Sequence, residues 1–158
     1  MLRPWHSNRS KRLVKAPKIH MADSGIACAL LGIRARGLVE GRKLLGKLLE
    51  SFVFQDLRRQ ASCRGEPLRL YHFGDRDGYE VDVVIERRGL AVAGVETKAA
   101  ASVQPSDFRG LRKLRAAAGE RFAGGVVLYH LETILPAGNG LYAIPIRALW
   151  EGARLSTD

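Results

Sequence analysis

The chain has 158 residues, 46% of them hydrophobic, which suits one globular domain and excludes a disordered chain. Lys and Arg number 26 against 16 Asp and Glu, a formal net charge of +10 that favours polyanionic partners: nucleic acid first, an anionic membrane surface or an acidic protein behind it. No apolar run is long enough to span a bilayer and no secretory leader opens the sequence, so membrane insertion is not expected and the expected location is cytoplasmic.

The first 20 residues are basic and turn-rich, with Arg3, Arg9, Lys11, Arg12, Lys15 and Lys18 set among Pro4 and Pro17. They read as an arm or strand-like extension. Asp23-Ser24 makes an N-cap for a short apolar helix over Gly25–Leu31, which Gly32 stops. Gly41 to Ala61 carries the strongest helical pattern: Leu44, Leu45, Leu48, Leu49, Phe52, Val53 and Leu57 define one apolar face, with Glu50 at its rim. The same stretch, Gly41–Leu48, mimics P-loop spacing. Leu48 stands where a Ser or Thr would hold Mg²⁺ and no strand precedes it, so ATP binding is not expected.

Strands follow. Leu68–Phe73 is a short β candidate, with Tyr71, His72 and Phe73 as strand residues, and 74–78 is a dense turn signal. Glu80–Glu86 alternates Val81, Val83 and Ile85 against Glu80, Asp82 and Glu86. A turn at 87–89 returns the chain as a strand over Leu90–Lys98. Pro105-Ser106 starts a helix through about Ala118, with Phe108, Leu111 and Leu114 inward and Arg109, Arg112, Lys113 and Arg115 largely outward. Val126–Tyr129 is a buried strand, 136–140 a turn, Leu141–Ile144 a last strand and Ile146–Trp150 a closing helix. Trp5 and Trp150 read as packing or terminal anchors. Cys28 and Cys63 fit no zinc or redox spacing, and His6, His20, His72 and His130 are scattered.

Chemistry concentrates on the hairpin Glu80–Lys98. A turn centred near Arg88 sets Asp82 opposite Gly94, with Glu96 and Lys98 on the same face. Diagonal cross-strand neighbours lie roughly 7–8 Å apart by Cα, within reach of a shared cation. Two carboxylates with water suit Mg²⁺ or Mn²⁺, which would activate a water towards a phosphodiester. Lys98 would orient that water or stabilise charge growing on phosphorus. Glu50 would be a further ligand or hold a metal-bound water, and Gly94 would leave open space for metal or phosphate. Arg109, Arg112, Lys113 and Arg115 would bind backbone phosphates, or else form a solvated helix face. The bland reading of the hairpin is a set of charged cross-strand pairs on a solvent face.

A helix with a rim Glu, then Asp and Glu-x-Lys on adjoining strands, then a helix and a strand, is the core order of the PD-(D/E)XK nuclease superfamily. The stretches Lys11–Lys18, Asp23–Ile26, Gly46–Val53, Glu80–Glu86, Glu96–Ala99, Phe108–Arg112 and Ala143–Trp150 resemble, more particularly, the C-terminal domain of unknown function of predicted prokaryotic AAA-type ATPases. That resemblance implies an α/β fold with a restriction-endonuclease-like (PD-(D/E)XK) core, a mixed central sheet flanked by helices. It implies that Glu50, Asp82, Glu96 and Lys98 occupy nuclease-type positions. Residues 1–40 then read as an arm and short helix left from a linker to an ATPase module, 41–150 as the nuclease-like domain, and 151–158 as a tail. The chain itself has no ATPase domain, so it reads as a truncated product, an excised domain or a stand-alone remnant.

Two functions follow. One is nucleic-acid binding, DNA ahead of RNA, with Mg²⁺-dependent phosphodiester hydrolysis. The other is a catalytically silent DNA-binding or protein-interaction module partnering an ATPase on another chain. A membrane-surface adaptor rests on the basic arm alone.

Overall fold

A computed structural model describes residues 1–8, 16–63, 65–75, 77–88, 90–130 and 132–151. The basic residues Arg9, Lys11, Arg12 and Lys15, the turn residues Arg76 and Gly89, and the tail 152–158 lie outside the described residues.

One seven-stranded sheet carries the fold, in the order β1-β2-β3-β4-β5-β7-β6. Its strands are β1 (Arg3–Pro4), β2 (Leu68–Gly74), β3 (Glu80–Arg87), β4 (Ala91–Thr97), β5 (Phe122–Tyr129), β6 (Leu135–Gly138) and β7 (Leu141–Pro145). β2, β3 and β4 run antiparallel in sequence, β4, β5 and β7 run parallel, and β1 joins β2 in parallel. The sheet is therefore mixed, and the parallel pair β4–β5 is joined by a helical crossover.

That crossover is α4 (Arg109–Ala118), entered through the 3₁₀ turn Pro105–Phe108. Gln104 and Asp107 cap the turn reciprocally, which satisfies two orphan donors at the helix start. Phe108, Leu111 and Leu114 are fully buried and pack with Val81, Val84, Val92 and Val127 on one face of the sheet. The other face carries Val83, Val95 and Leu128 against Val53 and Phe54 of α3 (Arg42–Ser62). The short helices α1 (Ser24–Leu30) and α2 (Ala35–Glu40) pack against α3. Asp23 caps α1, its carboxylate accepting the N–H groups of Gly25 and Ile26. α5 (Ala148–Glu151) closes the described chain.

Several local expectations need correction. α3 is an unbroken helix from Arg42, so Gly46 and Lys47 lie inside it and not in a phosphate loop. The segment read as one turn at 136–140 is most of the first strand of a hairpin and its turn: β6 pairs β7, and Asn139 and Gly140 both take positive φ, +56° and +74°. Asn-Gly is the residue pair that tolerates such a turn. α2 was not anticipated. The first residues add a strand to the sheet, and Leu2 and Trp5 are buried in the two cores.

The period-two pattern of β3 also breaks. Tyr71 pairs with Val84 but Phe73 pairs with Val81, so Asp82 and Val83 together oppose His72. This bulge puts Val81 and Val84 against α4 and Val83 and Ile85 against α3. An extra residue in one strand bends it and re-aims the side chains beside it.

Candidate active site

The bulge lies where β3 and β4 part. Their ladder runs from Arg87↔Ala91 to Val83↔Val95, and one step further Asp82 stands opposite Glu96. The expected pairing of Asp82 with Gly94 is therefore off by two residues, because the turn centres one residue later than assumed. Gly94 faces Val84 instead, and no space opens there. A Cβ on Gly94 would meet Leu111 at 2.5 Å and Leu114 at 2.8 Å. It is glycine so that α4 can lie on the sheet.

Past Val83, side chains take over from the backbone ladder. The Asp82 carboxylate accepts the Thr97 N–H at 2.9 Å, and the Glu96 carboxylate accepts the Asp82 N–H at 3.3 Å. Asp82 is only 8% exposed. Removing a carboxylate from water disfavours its charged form. Burial, reinforced by Glu50, pushes Asp82 up to about 6 against the pull of the Thr97 N–H and of Lys18 and Lys98. Burial, reinforced by Asp82, pushes Glu96 up to about 8 against Lys98 and the Asp82 N–H. The pair thus holds a proton near neutral pH, which is one mark of a functional site.

Lysines flank the pair on both sides. Lys98 Nζ is 3.5 Å from Glu96 Oε1 and 3.7 Å from Asp107 Oδ1. Lys18 Nζ is 3.3 Å from Glu50 Oε1, 3.1 Å from Glu80 Oε2 and 3.8 Å from Asp82 Oδ1. Burial alone would lower Lys18, yet Glu50, Asp82 and Glu80 together raise it above its ordinary value. Lys18, Glu80 and Asp107 join the anticipated residues here. Glu50 is brought close to Asp82 by way of Lys18, on the inner flank of α3.

Among the described residues, no three His, Cys, Asp or Glu side chains gather into a ready metal cage. A Mg²⁺ ion does not need one, since it is usually held by one or two carboxylates with waters and substrate phosphate. The buried pair Asp82 and Glu96 fits that donor set, and the Lys18 ammonium among Glu50, Glu80 and Asp82 stands in for a cation. The Thr97 hydroxyl is buried with no hydrogen-bond partner among the described residues. A cavity of about 330 Å³ begins one residue beyond Lys98, between Arg42, Leu49, Ala99, Tyr129 and His130. Its lining is mostly apolar and includes none of these carboxylates.

The basic helix face divides. Lys113 Nζ is 3.1 Å from Asp77 Oδ2 and lies over the Tyr79 ring, and Arg112 donates to the Pro105 carbonyl at 2.8 Å. Arg109 and Arg115 are exposed. Trp5 is a buried anchor that donates from Nε1 to Glu86 at 2.7 Å, whereas Trp150 is 56% exposed and meets Phe52 edge-on. No helix among the described residues is long and apolar enough to cross a membrane.

Comparison with known proteins adds the following. Residues 45–149 match a family described as "Domain of unknown function (DUF4143)", and residues 1–37 match "Domain of unknown function (DUF8612)". "Uncharacterized protein Rv2008c" of Mycobacterium tuberculosis and "Uncharacterized protein Mb2031c" of Mycobacterium bovis are each 31% identical over 144 residues, 91% of this chain. The chain spans 31% of the length of each. A solved assembly of Thermococcus gammatolerans McrB AAA+ hexamers with bound McrC contains a chain 18% identical, with a TM-score of 0.42, covering 63% of this chain and 27% of that one.

Proposed function

This chain belongs to the DUF4143 family, and from that premise we propose that its Asp82–Glu96 site serves metal-assisted hydrolysis of a nucleic-acid phosphodiester. The proposed core is of the PD-(D/E)XK kind, with 41–150 as its nuclease-like part. The observation that supports this reading is the reciprocal capping of Asp82 and Glu96 at the end of the β3–β4 ladder. It draws two buried carboxylates together beside a lysine.

Asp82 and Glu96 would hold one Mg²⁺ or Mn²⁺ ion. When bound, such an ion acidifies its water and polarises the phosphate. Lys98, held between Glu96 and Asp107, would carry its proton at Nζ beside the attacked phosphorus and stabilise the charge growing there. Asp107 would orient Lys98. Arg109 and Arg115 would bind flanking phosphates and set the strand's path. An ATPase module, on another chain or in the part of the longer relatives that this chain does not span, is the proposed partner.

A second reading, a silent binding module, is favoured by Lys18, whose ammonium sits among the carboxylates as an ion pair network does. One assay separates the two. Plasmid and single-stranded DNA are incubated with Mg²⁺ or Mn²⁺ and the wild-type, Asp82→Asn or Lys98→Ala chain. Metal-dependent cleavage lost in both variants supports hydrolysis. DNA binding with equal inertness in all three leaves the silent module.

A further inference from the structure

Lys18 lies outside the segment matched by the DUF4143 family, yet it reaches three of the site's carboxylates. Its position is fixed by the chain on either side. The Lys18 N–H donates to the Leu2 carbonyl at 2.9 Å and the Leu2 N–H to the Lys18 carbonyl at 2.8 Å, and Leu2 is itself buried. His72 Nε2 lies 3.2 Å from the Ala16 carbonyl, and Gln55 Nε2 donates to the Met21 carbonyl at 2.7 Å. His20 stacks on Phe54, ring centroids 4.6 Å apart, with Nδ1 3.3 Å from Ser51 Oγ. The segment 16–21 is thus tied to β2 through Ala16, to Leu2 through Lys18, and to α3 through His20 and Met21. A backbone held so fixes where the Lys18 side chain starts, and leaves its own rotamers to be ordered by the carboxylates it meets.

We infer that Lys18 is a specificity-determining residue of the site, a cation supplied by the N-terminal segment that occupies the position beside Glu50 and restricts divalent cations to the Asp82–Glu96 end. This rests on the metal reading above. Under it, Glu50 neutralises Lys18 and does not ligate metal while Lys18 is in place. Three facts carry the inference: the ammonium meets Glu50, Glu80 and Asp82 but not Glu96; Lys98 serves Glu96 from the opposite side; and the backbone around Lys18 is pinned.

The test is Mn²⁺ titration of the full chain followed by electron paramagnetic resonance, which counts bound ions without requiring turnover. Wild type and Lys18→Arg are expected to bind one Mn²⁺ each. Lys18→Gln is expected to bind a second ion, or the first at least tenfold more tightly, and Lys18→Gln with Glu50→Gln to return to the wild-type isotherm. Thermal unfolding of each variant confirms that a folded chain is being titrated, and Lys18→Met, a second uncharged side chain of similar length with the same expected outcome, takes the place of Lys18→Gln if that variant unfolds. An unchanged isotherm in folded Lys18→Gln overturns this inference alone. No Mn²⁺ binding in any of the chains overturns the metal reading as well.

Discussion

Asp82 and Glu96 face each other at the first position beyond the β3–β4 ladder, and each carboxylate accepts a backbone N–H from the opposite strand, Thr97 to Asp82 at 2.9 Å and Asp82 to Glu96 at 3.3 Å. Those two bonds hold the fork open at a fixed width. They also bury two acids that repel one another, which is costly for folding when both are charged.

The cost has a sign and a pH window. Glu96 is raised to about 8 in the folded chain, while the unfolded chain releases the same proton in the ordinary range near pH 4. Between those values the folded state binds more protons, so the metal-free protein should lose stability as pH rises from about 4 to about 8. Urea midpoints at pH 5 and pH 8 should differ in that direction, and Glu96→Gln should flatten the difference. A midpoint that rises over this range in the wild type would contradict the assignment.

Gly110 sets the distance between α4 and β3. A Cβ at this position would collide with the Glu80 carbonyl, a backbone atom that cannot swing aside. Gly110→Ala should therefore destabilise the fold by about 3 kcal/mol or more, the upper end for overpacking. Chemical denaturation measures it, and a loss below about 1 kcal/mol would mean that the helix lies further from the strand.

Trp5 ties the first strand to the core. Its Nε1 donates to Glu86, a carboxylate only 1% exposed that also lies 3.5 Å from Arg121. Trp5→Phe keeps most of the ring and removes the donor, and a buried acceptor losing a donor costs about 1–3 kcal/mol. Equilibrium unfolding of this variant should show a loss in that range.

The division of the basic helix face predicts unequal effects on DNA binding. Arg109→Ala and Arg115→Ala should each reduce the slope of log affinity against log salt by about 1, the share of one phosphate contact. Lys113→Ala and Arg112→Ala should change it little, since the first is paired with Asp77 and the second with the Pro105 carbonyl. Equal effects of all four would show that these pairings give way on binding.

Much of this frame is legible in the sequence because it is written in local patterns. The leucines of α3, the run of β-branched residues on β3 and the Pro105 start before α4 are each local signals. The Asp23 cap is equally local. What fails is whatever depends on a partner strand. The β3 bulge leaves no mark in the run Val81–Ile85, since its valines satisfy either face. The β3–β4 register depends separately on where the turn centres, and one residue of error there moves the partner of Asp82 from Glu96 to Gly94. Asn139-Gly140 did carry a hairpin signal, but Leu135–Gly138 lacks strand-forming residues. Lys18 was one basic residue among six until folding laid the segment 16–21 across α3, and nothing near it in sequence names Glu50, Glu80 or Asp82. Asp107 sits in a capping position, and its second role beside Lys98 exists only in three dimensions.

The central claim, that Asp82 and Glu96 form a protonated pair which a divalent cation discharges, is tested most directly by titrating Mn²⁺ into the chain calorimetrically at pH 7 in two buffers of different ionisation enthalpy. Metal ligands must be deprotonated to bind, so the account predicts about one proton released per ion bound, with binding lost in Asp82→Asn and Glu96→Gln. Binding that releases no proton, or that survives both substitutions unchanged, would contradict it.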